Sequence, residues 1–550
     1  KGQTTGVFQF ESAPMKEYLK KLKPTSLSDL SAMNALYRPG PMDFIDDFID
    51  RKYGRKEAAF LHPVLEPILK ETYGIIVYQE QVIQIANKVA GMSLAEADIL
   101  RRAMGKKDLK AMVAQKVIFI EGAVKNNIPK KTAEDIFEAI NKFANYGFNK
   151  SHSVAYSYIA YQTAYLKAHY TPEFLAANLT NEFGNANKVA AFLEDCRKLK
   201  IEILPPDVNN PSVDFDVDEA GRIRFGMSAI KNVGKNAVEE IIKTRNNLGR
   251  NFKSIFDFCT NVDTRIVNKR TVESLVLAGA FDSTNNYRAR IFKVVEEALD
   301  FGSKVQNSKL SVENSLFGGI QEEVKISEPR LPDIPPWSQK ERLAREREVT
   351  GFYITGHPLS KYEIDHKSFA TISLGETEQL EEVEVVKSCG VITSIKTKLD
   401  KKGNTMAFFT LDDFSGSCEA LMFSDSYKQY GKYIKEEECV FIVGRPESSG
   451  DAIKIHIEKV MSVEEAREVY TESVKILLDK GKHSAEKIKD LKKIFDKNKG
   501  NIPVYISLAD NGSALRKFSL RELRVNVSNE FIDEMKETLG EDSFILFNKR

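Results

Sequence analysis

The sequence predicts a multidomain α+β protein with four parts: a mostly helical domain, a helical domain with a helix-hairpin-helix, a small OB-fold β-barrel and a small α/β C-terminal domain. Its 550 residues exceed what one hydrophobic core accommodates, so three or four domains are expected. Apolar residues recur at helical spacing in the first two regions and alternate at strand spacing further along. The predicted domain ranges are 1–208, 209–375, 376–465 and 466–550.

The first region, residues 1–208, is predicted to be mostly helical. Ser93 followed by Glu96 forms a capping-box pattern, which indicates the start of a helix. The region ends at the segment ILPPD, because two consecutive prolines interrupt any helix. Four apolar residues recur at helical spacing and predict a further helix: Tyr78, Val82, Ile85 and Val89.

The second region, residues 209–375, begins with a predicted hairpin, VDFDVDEAGRIRFG, that turns at Gly221. Helices follow it. The segment IKNVGKNAVEEII resembles a helix-hairpin-helix, and Asn232, which stands where a first glycine is common, tolerates the positive φ of such a turn. A second, weaker copy is expected at 268–282; plain helical hairpins are the alternative. From residue 286 to 347 the chain is polar and carries four prolines, which predicts a mobile connection.

The apolar period changes from residue 376 onward. Residues 376–465 contain about five short alternating strands and a KKGN turn, which predicts a small closed barrel of the OB-fold type. Residues 466–550 predict a strand VKILLD, a helix, a strand NIPVYISL, a hairpin, a helix and a last strand FILF. The barrel strands are marked by Val383, Val385, Val391, Ile395, Phe409, Leu411, Leu421, Phe423, Val440, Ile442, Ile453, Ile455 and Ile457.

Composition narrows the class of protein. The net charge is +1, so any contact with a polyanion depends on local basic patches. The five cysteines form no CxxC pair, which argues against a zinc or redox motif and favours a reducing cytoplasm. No apolar run reaches the length of a membrane span and no signal peptide opens the chain. We therefore expect a cytoplasmic protein without membrane contact.

The segment from Phe143 to Tyr170 is the most informative stretch of the chain. A polar loop with Asn149, Lys150, Ser151 and His152 precedes a helix, whose free N–H groups and dipole suit phosphate. Apolar residues at helical spacing predict that this helix is largely buried; a core helix behind a polar loop is the alternative interpretation. The predicted apolar stripe consists of Val154, Tyr158, Tyr161 and Tyr165, widened by Ala155, Ile159 and Leu166.

Five motifs connect the chain with a known family. They are TGVFQFES at 5–12, LYRPGP at 36–41, YGIIVYQEQ at 73–81, RRAMGKK at 101–107 and YGFNKSHS at 146–153. Together they resemble the fingers domain of the family C replicative DNA polymerases, the bacterial DNA polymerase III alpha subunits. The resemblance is dense in residues 1–208 and looser beyond. Because the chain starts at Lys1, inside a family motif and without methionine, we expect part of a longer protein.

The resemblance implies template-directed DNA synthesis from dNTPs, with Mg²⁺ as the cofactor. In the family the metal-binding aspartates belong to the palm, which would precede residue 1. The paired acids in DFDVD, at Asp412–Asp413 and at Asp46–Asp47 are interpreted as structural. We therefore expect no catalytic residue and no metal site in this chain, and no activity from the chain alone.

Substrate-positioning residues are the other implication of the resemblance. Arg38, held by the following Pro-Gly-Pro, can bind phosphate with two donors, or it is an ordinary surface arginine. The run from Arg101 to Lys107 contacts triphosphate or primer-template DNA, or its cations only stabilise a helix end. The residues expected at nucleotide and DNA are Arg38, Arg101, Arg102, Lys106, Lys107, Asn149, Lys150, Ser151, His152 and Tyr156.

Further contacts are expected beyond the fingers. In the helix-hairpin-helix, Val233, Gly234 and Lys235 would present backbone N–H groups to DNA phosphates. Leu316 and Phe317, in the polar segment ENSLFG, resemble the peptide by which the family docks on the sliding clamp; an arbitrary pair of loop hydrophobics is the alternative. The resemblance also implies the clamp-loader tau subunit and a proofreading exonuclease subunit as partners.

The barrel is expected to bind the single-stranded template through aromatic and cationic side chains, although several of the aromatics could instead fill the barrel. A nonenzymatic DNA-binding replication accessory protein remains the alternative function. The barrel residues concerned are Phe408, Phe409, Phe423, Tyr427 and Tyr430, with Lys396, Lys398, Lys401 and Lys402.

Overall fold

The structure is a computed structural model that describes residues 1–105, 109–144, 147–313, 327–375, 384–449, 452–479, 485–510, 513–540 and 543–548. The chain divides into two compact units, residues 1–174 and 175–550. Within the described ranges, none of the helices combines the length and apolarity that a membrane crossing needs. The predicted domain boundary at residue 208 stays a prediction.

The first unit is helical. Helix α5 packs against α6 and α7, and the apolar residues at helical spacing that predicted it are buried. Ser93 and Glu96 form the predicted capping box before α6, with Ser93 N 2.8 Å from Glu96 Oε2. The helices are α1 (Ala13–Leu22), α2 (Leu27–Leu36), α3 (Ile45–Lys52), α4 (Glu66–Leu69), α5 (Gln79–Ala90), α6 (Leu94–Gly105), α7 (Leu109–Lys125), α8 (Lys130–Ala144) and α9 (Lys150–His169).

Helix α9 is mostly exposed, so the prediction of a largely buried helix is wrong. Its buried residues are the small Ser153, Ser157 and Ala160, together with Lys167. Ser153 Oγ donates to the Ser31 carbonyl at 2.6 Å, and Ser157 Oγ accepts from Asn34 Nδ2 at 2.7 Å. Small side chains let α9 approach α2 closely, and the larger side chains therefore point away from α2. The exposed residues Tyr158, Ile159, Tyr161, Tyr165 and Leu166 have between 44% and 54% of their surface accessible.

The second unit begins within a helix and continues with helices and a three-stranded sheet of order β1-β3-β2. The predicted hairpin is formed by β2 and β3, which pair antiparallel around Gly221, whose φ is +76°. The elements are α10 (Thr171–Asn181), α11 (Ala186–Lys198), β1 (Ile203–Leu204), β2 (Asp216–Val217), β3 (Ile223–Arg224), α12 (Lys235–Leu248), α13 (Ile255–Asn261), α14 (Lys269–Leu277), α15 (Arg288–Lys293), α16 (Val295–Glu313), α17 (Gln339–Thr350) and α18 (Glu363–Phe369).

Helices occupy much of the segment 286–347, which composition predicted to be a mobile connection. Helices α15 and α16 cover residues 288–313 apart from Val294, and α17 begins at Gln339. A buried ion pair joins α15 to α17, because Arg288 Nη1 lies 2.9 Å from Glu346 Oε2 and both side chains are at most 4% exposed. Helices thus make up a large part of this segment, and its mobility stays a prediction. Composition and helix propensity do not show which charged residues of the segment form a buried ion pair, because that depends on partners distant in sequence.

The predicted OB-fold barrel is confirmed. Five strands close in the order β4-β5-β6-β8-β7, with β6 and β8 parallel and the other pairs antiparallel. The apolar residues Leu411, Val440, Ile442, Ile455 and Ile457 fill its interior, whereas Val391 is buried in a neighbouring cluster with Phe441 and Val443. The elements are β4 (Val386–Leu399), β5 (Thr405–Asp412), β6 (Ser417–Met422), α19 (Ser424–Tyr430), β7 (Cys439–Ser449) and β8 (Ala452–Ser462).

The last region is the predicted small α/β domain. Its four-stranded sheet has the order β11-β10-β9-β12, with β9 and β10 parallel. Arg467, in the helix before β9, is buried and pairs with the buried Asp365 of α18 at 2.6 Å. The elements are α20 (Val463–Tyr470), β9 (Thr471–Asp479), α21 (Ala485–Lys497), β10 (Lys499–Asp510), β11 (Ser513–Val525), α22 (Asn529–Leu539) and β12 (Phe544–Asn548).

Candidate nucleic-acid interface

The segment before α9 is held against the start of α5. Phe148 N donates to the Val77 carbonyl at 3.2 Å, and Gln79 N donates to the Phe148 carbonyl at 2.9 Å. The Gln79 side chain adds a hydrogen bond from Nε2 to the Gly147 carbonyl at 2.9 Å. Two of the sequence motifs, YGIIVYQEQ and YGFNKSHS, therefore meet in space and fix each other.

The first turn of α9 is capped from two sides. Asn149 Oδ1 accepts a hydrogen bond from His152 N at 2.8 Å, as an N-cap side chain does. The carboxylate of Glu80 accepts from Asn149 Nδ2 at 3.0 Å and from Lys150 N at 2.9 Å. The expectation of free N–H groups for phosphate is thus corrected for Lys150 and His152, whose N–H groups are already bonded. Sequence reasoning missed Glu80, although its position in the YQEQ motif was a signal.

The ammonium group of Lys150 lies at the surface. Its Nζ is 2.6 Å from Glu71 Oε1, and both side chains are more than a third exposed. The same Nζ lies 5.6 Å from the ring centroid of Tyr78, and burial, followed by Glu71 and Glu80, raises the pKa of that tyrosine. Because exposed ion pairs contribute little to stability, Lys150 can exchange Glu71 for another anion at small cost.

Arg38 is fixed beside the same segment. Its Nε donates to the Ala35 carbonyl at 2.9 Å, and its guanidinium lies 4.4 Å from the ring centroid of Phe148. Burial lowers the pKa of Arg38. An arginine guanidinium is nevertheless cationic at neutral pH. Gly40, two residues later, has a φ of +100°, a conformation that favours glycine.

The basic run at the end of α6 divides into two parts. Arg101 pairs with Asp98 and donates from Nη1 to Gln79 Oε1 at 3.0 Å, which joins it to the segment before α9. Arg102 also pairs with Asp98 but is 68% exposed. Lys106 and Lys107 lie outside the described residues, so their predicted contact with DNA stays a prediction.

A row of rings runs along the exposed side of the first turns of α9. The His152 and Tyr156 ring centroids are 4.2 Å apart, and Phe148 lies 5.5 Å from His152. Phe8, from the TGVFQFES motif, lies 5.4 Å from Tyr156. His152 and Tyr156 are exposed, and so is Ser151 beside them. Exposed rings of this kind suit stacking against a nucleobase.

The contacts bring most of the predicted nucleotide residues together in the first unit. Through Gln79, Glu80 and Phe148, the structure connects Arg38, Arg101, Asn149, Lys150, His152 and Tyr156.

The described residues do not fit a Mg²⁺ site. Among them there is no group of three or more histidine, cysteine, aspartate or glutamate side chains that could hold a metal ion. The paired acids considered from the sequence also have side-chain partners: Asp218 pairs with Arg222, Asp412 with Arg347 and Asp46 with Lys21, and Asp413 lies 3.3 Å from Nε2 of His366.

The helix-hairpin-helix has the predicted turn. Asn232 adopts a φ of +64°, and Thr271 Oγ1 donates to its carbonyl at 3.0 Å. Val233 is buried and its N–H already donates to the Ile230 carbonyl at 3.0 Å, so this N–H is not open to a phosphate as predicted. Gly234 is the N-cap of α12, and no atom lies within 4 Å of the position that a Cβ would occupy there. Lys235 is exposed in the first turn. This surface can approach a phosphate closely.

One face of the barrel carries cations and an aromatic ring around a cavity of about 260 Å³. Lys396 and Lys398 line it, and Lys398 Nζ lies 5.5 Å from the ring centroid of Phe408. Phe409 is buried and fills the barrel instead, while Phe423 is 42% exposed. Phe408 and Phe423 are therefore open to a single strand, whereas Phe409 is one of the aromatic residues that fill the barrel. Leu316 and Phe317, predicted to dock on the clamp, lie outside the described residues.

Three parts of the chain match models of known domains. Residues 1–127 match the model of the bacterial DNA polymerase III alpha subunit finger domain, residues 200–291 a helix-hairpin-helix motif, and residues 386–463 an OB-fold nucleic acid binding domain. A domain structure, the second OB-fold domain of replication protein A from Methanococcus maripaludis, covers 15% of the chain and 85% of its own length at 14% identity and a TM-score of 0.12, which is too weak to bear on function.

The chain is also similar to whole polymerase subunits. DNA polymerase III subunit alpha of Pseudomonas aeruginosa is 39% identical over 99% of the chain and 48% of its own length. The Vibrio cholerae subunit is 36% identical over 98% of the chain and 47% of its length, and the Borreliella burgdorferi subunit 39% over 94% and 45%. The chain thus spans about half the length of the relatives it matches.

Proposed function

The chain belongs to the family of bacterial DNA polymerase III alpha subunits, and we propose that it positions the incoming dNTP and the primer-template for such a replicative polymerase. The observation that carries the proposal is the convergence of Arg38, Lys150, His152 and Tyr156 around the joint between α5 and α9. The cations suit the triphosphate of a nucleotide, and the exposed rings suit its base or sugar.

Different residues of this site bind different parts of the nucleotide. Arg38 and Lys150 bind the triphosphate, because a fixed guanidinium and an ammonium both donate to phosphate oxygens. The rings of His152 and Tyr156 stack on the base or sugar. Asn149 keeps this turn of α9 in place through its bond to His152 N.

The remaining regions bind the DNA. The turn at Gly234 and Lys235 contacts the phosphates of the duplex through backbone N–H groups, without reading sequence. The barrel face with Lys396, Lys398 and Phe408 binds the single-stranded template. Both contacts depend on salt, since they release counterions from the DNA.

Nucleotidyl transfer itself is assigned to another part of the polymerase. Mg²⁺, when bound, would neutralise the charge of the phosphates, and carboxylates would hold it. The described residues offer no such set. We place the metal-binding aspartates in the portion of the subunit that the relatives have beyond the chain, so the chain alone binds DNA without extending it.

Protein partners complete the proposal. Leu316 and Phe317 dock in an apolar pocket of the sliding clamp, the last domain is the candidate contact for the clamp-loader tau subunit, and a proofreading exonuclease subunit joins the complex. Such a polymerase works in the cytoplasm.

Binding of dATP by residues 1–550, with and without Mg²⁺, tests the nucleotide site. Inorganic tripolyphosphate is expected to compete, and Lys150→Ala to weaken binding. The matched control is Lys131→Ala, a lysine in an exposed pair with Asp135 at 3.0 Å. If dATP binding is absent, or if the control variant weakens it as much as Lys150→Ala does, the nucleotide site is elsewhere.

A further inference from the structure

Two carboxylates hold the first turn of α9 in different ways. We propose that Glu80 is a positioning residue that fixes Asn149 and the backbone of Lys150, whereas Glu71 is the counter-ion that Lys150 must leave in order to bind a triphosphate. The two acids then have opposite effects on nucleotide binding. This inference rests on the proposed function and deepens it.

Glu80 binds the backbone of Lys150 and the side chain of Asn149, and not the ammonium group of Lys150. One carboxylate oxygen accepts from Asn149 Nδ2 at 3.0 Å and the other from Lys150 N at 2.9 Å. Its backbone lies in the first turn of α5, next to Gln79, whose bonds to Phe148 and Gly147 fix the preceding residues. The backbone of Lys150 is therefore held before any nucleotide arrives, and the entropy of fixing it is not lost on binding.

Glu71 acts on the ammonium group. It belongs to the 3-10 turn Lys70–Thr72, and its Oε1 lies 2.6 Å from Lys150 Nζ. A triphosphate carries several negative charges, whereas Glu71 carries one, so the phosphate displaces it. An exposed pair of this kind contributes little to folding, but its small energy opposes nucleotide binding directly.

The two isosteric substitutions are therefore expected to change dATP affinity in opposite directions. Glu71→Gln releases Lys150 and tightens binding by about two- to fivefold, the range that exposed ion pairs support. Glu80→Gln loses the charge of two charge-assisted hydrogen bonds and weakens binding by about three- to tenfold. In the full-length polymerase subunit, Glu71→Gln lowers the KM for dNTP at constant kcat, and Glu80→Gln raises KM and lowers kcat.

A double substitution separates the counter-ion effect from a general change in charge. Because the effect of Glu71 acts through Lys150, Glu71→Gln is expected to change affinity little in a Lys150→Ala background, which a double-mutant cycle measures. Glu121→Gln, an exposed acid on α7, removes the same charge elsewhere and is expected to leave affinity unchanged.

The experiment is dATP titration of the 550-residue chain and its variants, with thermal unfolding of each to show that it folds. The inference is overturned if Glu80→Gln tightens binding, because Glu80 would then only compete with phosphate. It is also overturned if Glu71→Gln acts equally with and without Lys150. Failure of the proposed function looks different, since the unmodified chain would then not bind dATP; the exposed Glu71 variant keeps the test valid should Glu80→Gln fail to fold.

Discussion

Replacing Lys150 with alanine in the full-length polymerase subunit removes one of the two cations proposed to hold the triphosphate. The structure predicts almost no cost in folding, because the only ion pair described for its ammonium is the exposed one with Glu71 at 2.6 Å. Such a pair contributes about 0–1 kcal/mol to the free energy of unfolding. Stability and activity are therefore expected to separate.

The loss in activity follows from the two anions that compete for the ammonium. A charged hydrogen bond to the transferred phosphates is worth about 1.5–3 kcal/mol, and the wild type loses about 0.5 kcal/mol on leaving Glu71, the middle of the range for an exposed pair. The difference of about 1–2.5 kcal/mol corresponds to a fall of roughly five- to seventyfold in kcat/KM.

Single-nucleotide incorporation under steady-state conditions measures this change, with Lys131→Ala as the matched control. Lys131 also forms an exposed pair, with Asp135 at 3.0 Å, but lies at the start of α8. Wild-type kcat/KM in the Lys150 variant, or an equal loss in both variants, would refute a direct contact of Lys150 with the nucleotide.

Three further changes test other parts of the molecule. Asp29→Asn removes a buried carboxylate that accepts from Lys52 and caps α2, and is expected to lower the free energy of unfolding by about 2–4 kcal/mol at pH 7. Burial raises the pKa of Asp29, but hydrogen bonds from Lys52 and the backbone outweigh this and lower it overall, so its contribution is present above the unfolded pKa of about 3.9 and lost as the pH falls through the folded value. Urea unfolding should show the wild-type advantage shrinking below that pH; an advantage that does not change would contradict the assignment. Lys106→Ala with Lys107→Ala should reduce the slope of log affinity for DNA against log salt by about 0.9 per lost phosphate contact, and an unchanged slope means that these lysines only stabilise a helix end. Alanine at both Leu316 and Phe317 should weaken sliding-clamp binding by at least roughly tenfold while synthesis without the clamp stays normal, and unchanged clamp affinity would exclude ENSLFG.

Local patterns in the sequence predicted the features that depend on near neighbours. The capping box of Ser93, the turn at Gly221, the positive φ of Asn232 and the alternating strands of the barrel all follow from a few adjacent residues. The family motifs also identified the residues around the joint between α5 and α9. The capping box and the two turns are short-range patterns with one favoured geometry, whereas the joint between α5 and α9 connects residues about 70 positions apart.

The missed features depend on long-range partners. Helical spacing shows which residues of α9 share a face, but it does not show which face is buried. The face with Ser153 and Ser157 is buried because these serines form hydrogen bonds with Ser31 and Asn34 of α2. The tyrosines opposite are left exposed. Glu80 was also missed, because an acid in the first turn of a helix favours that helix whether or not it bonds elsewhere. Its partners lie about 70 residues further along the chain.

Primer extension by residues 1–550 alone, with Mg²⁺ and all four dNTPs, tests most directly whether this chain positions substrates without catalysing transfer. DNA binding is followed in the same samples by the fluorescence anisotropy of the labelled primer-template. We predict a salt-dependent rise in anisotropy and no extended product, since the described residues hold no carboxylate set for a metal ion. Robust Mg²⁺-dependent extension by the purified chain would contradict the proposed division of work.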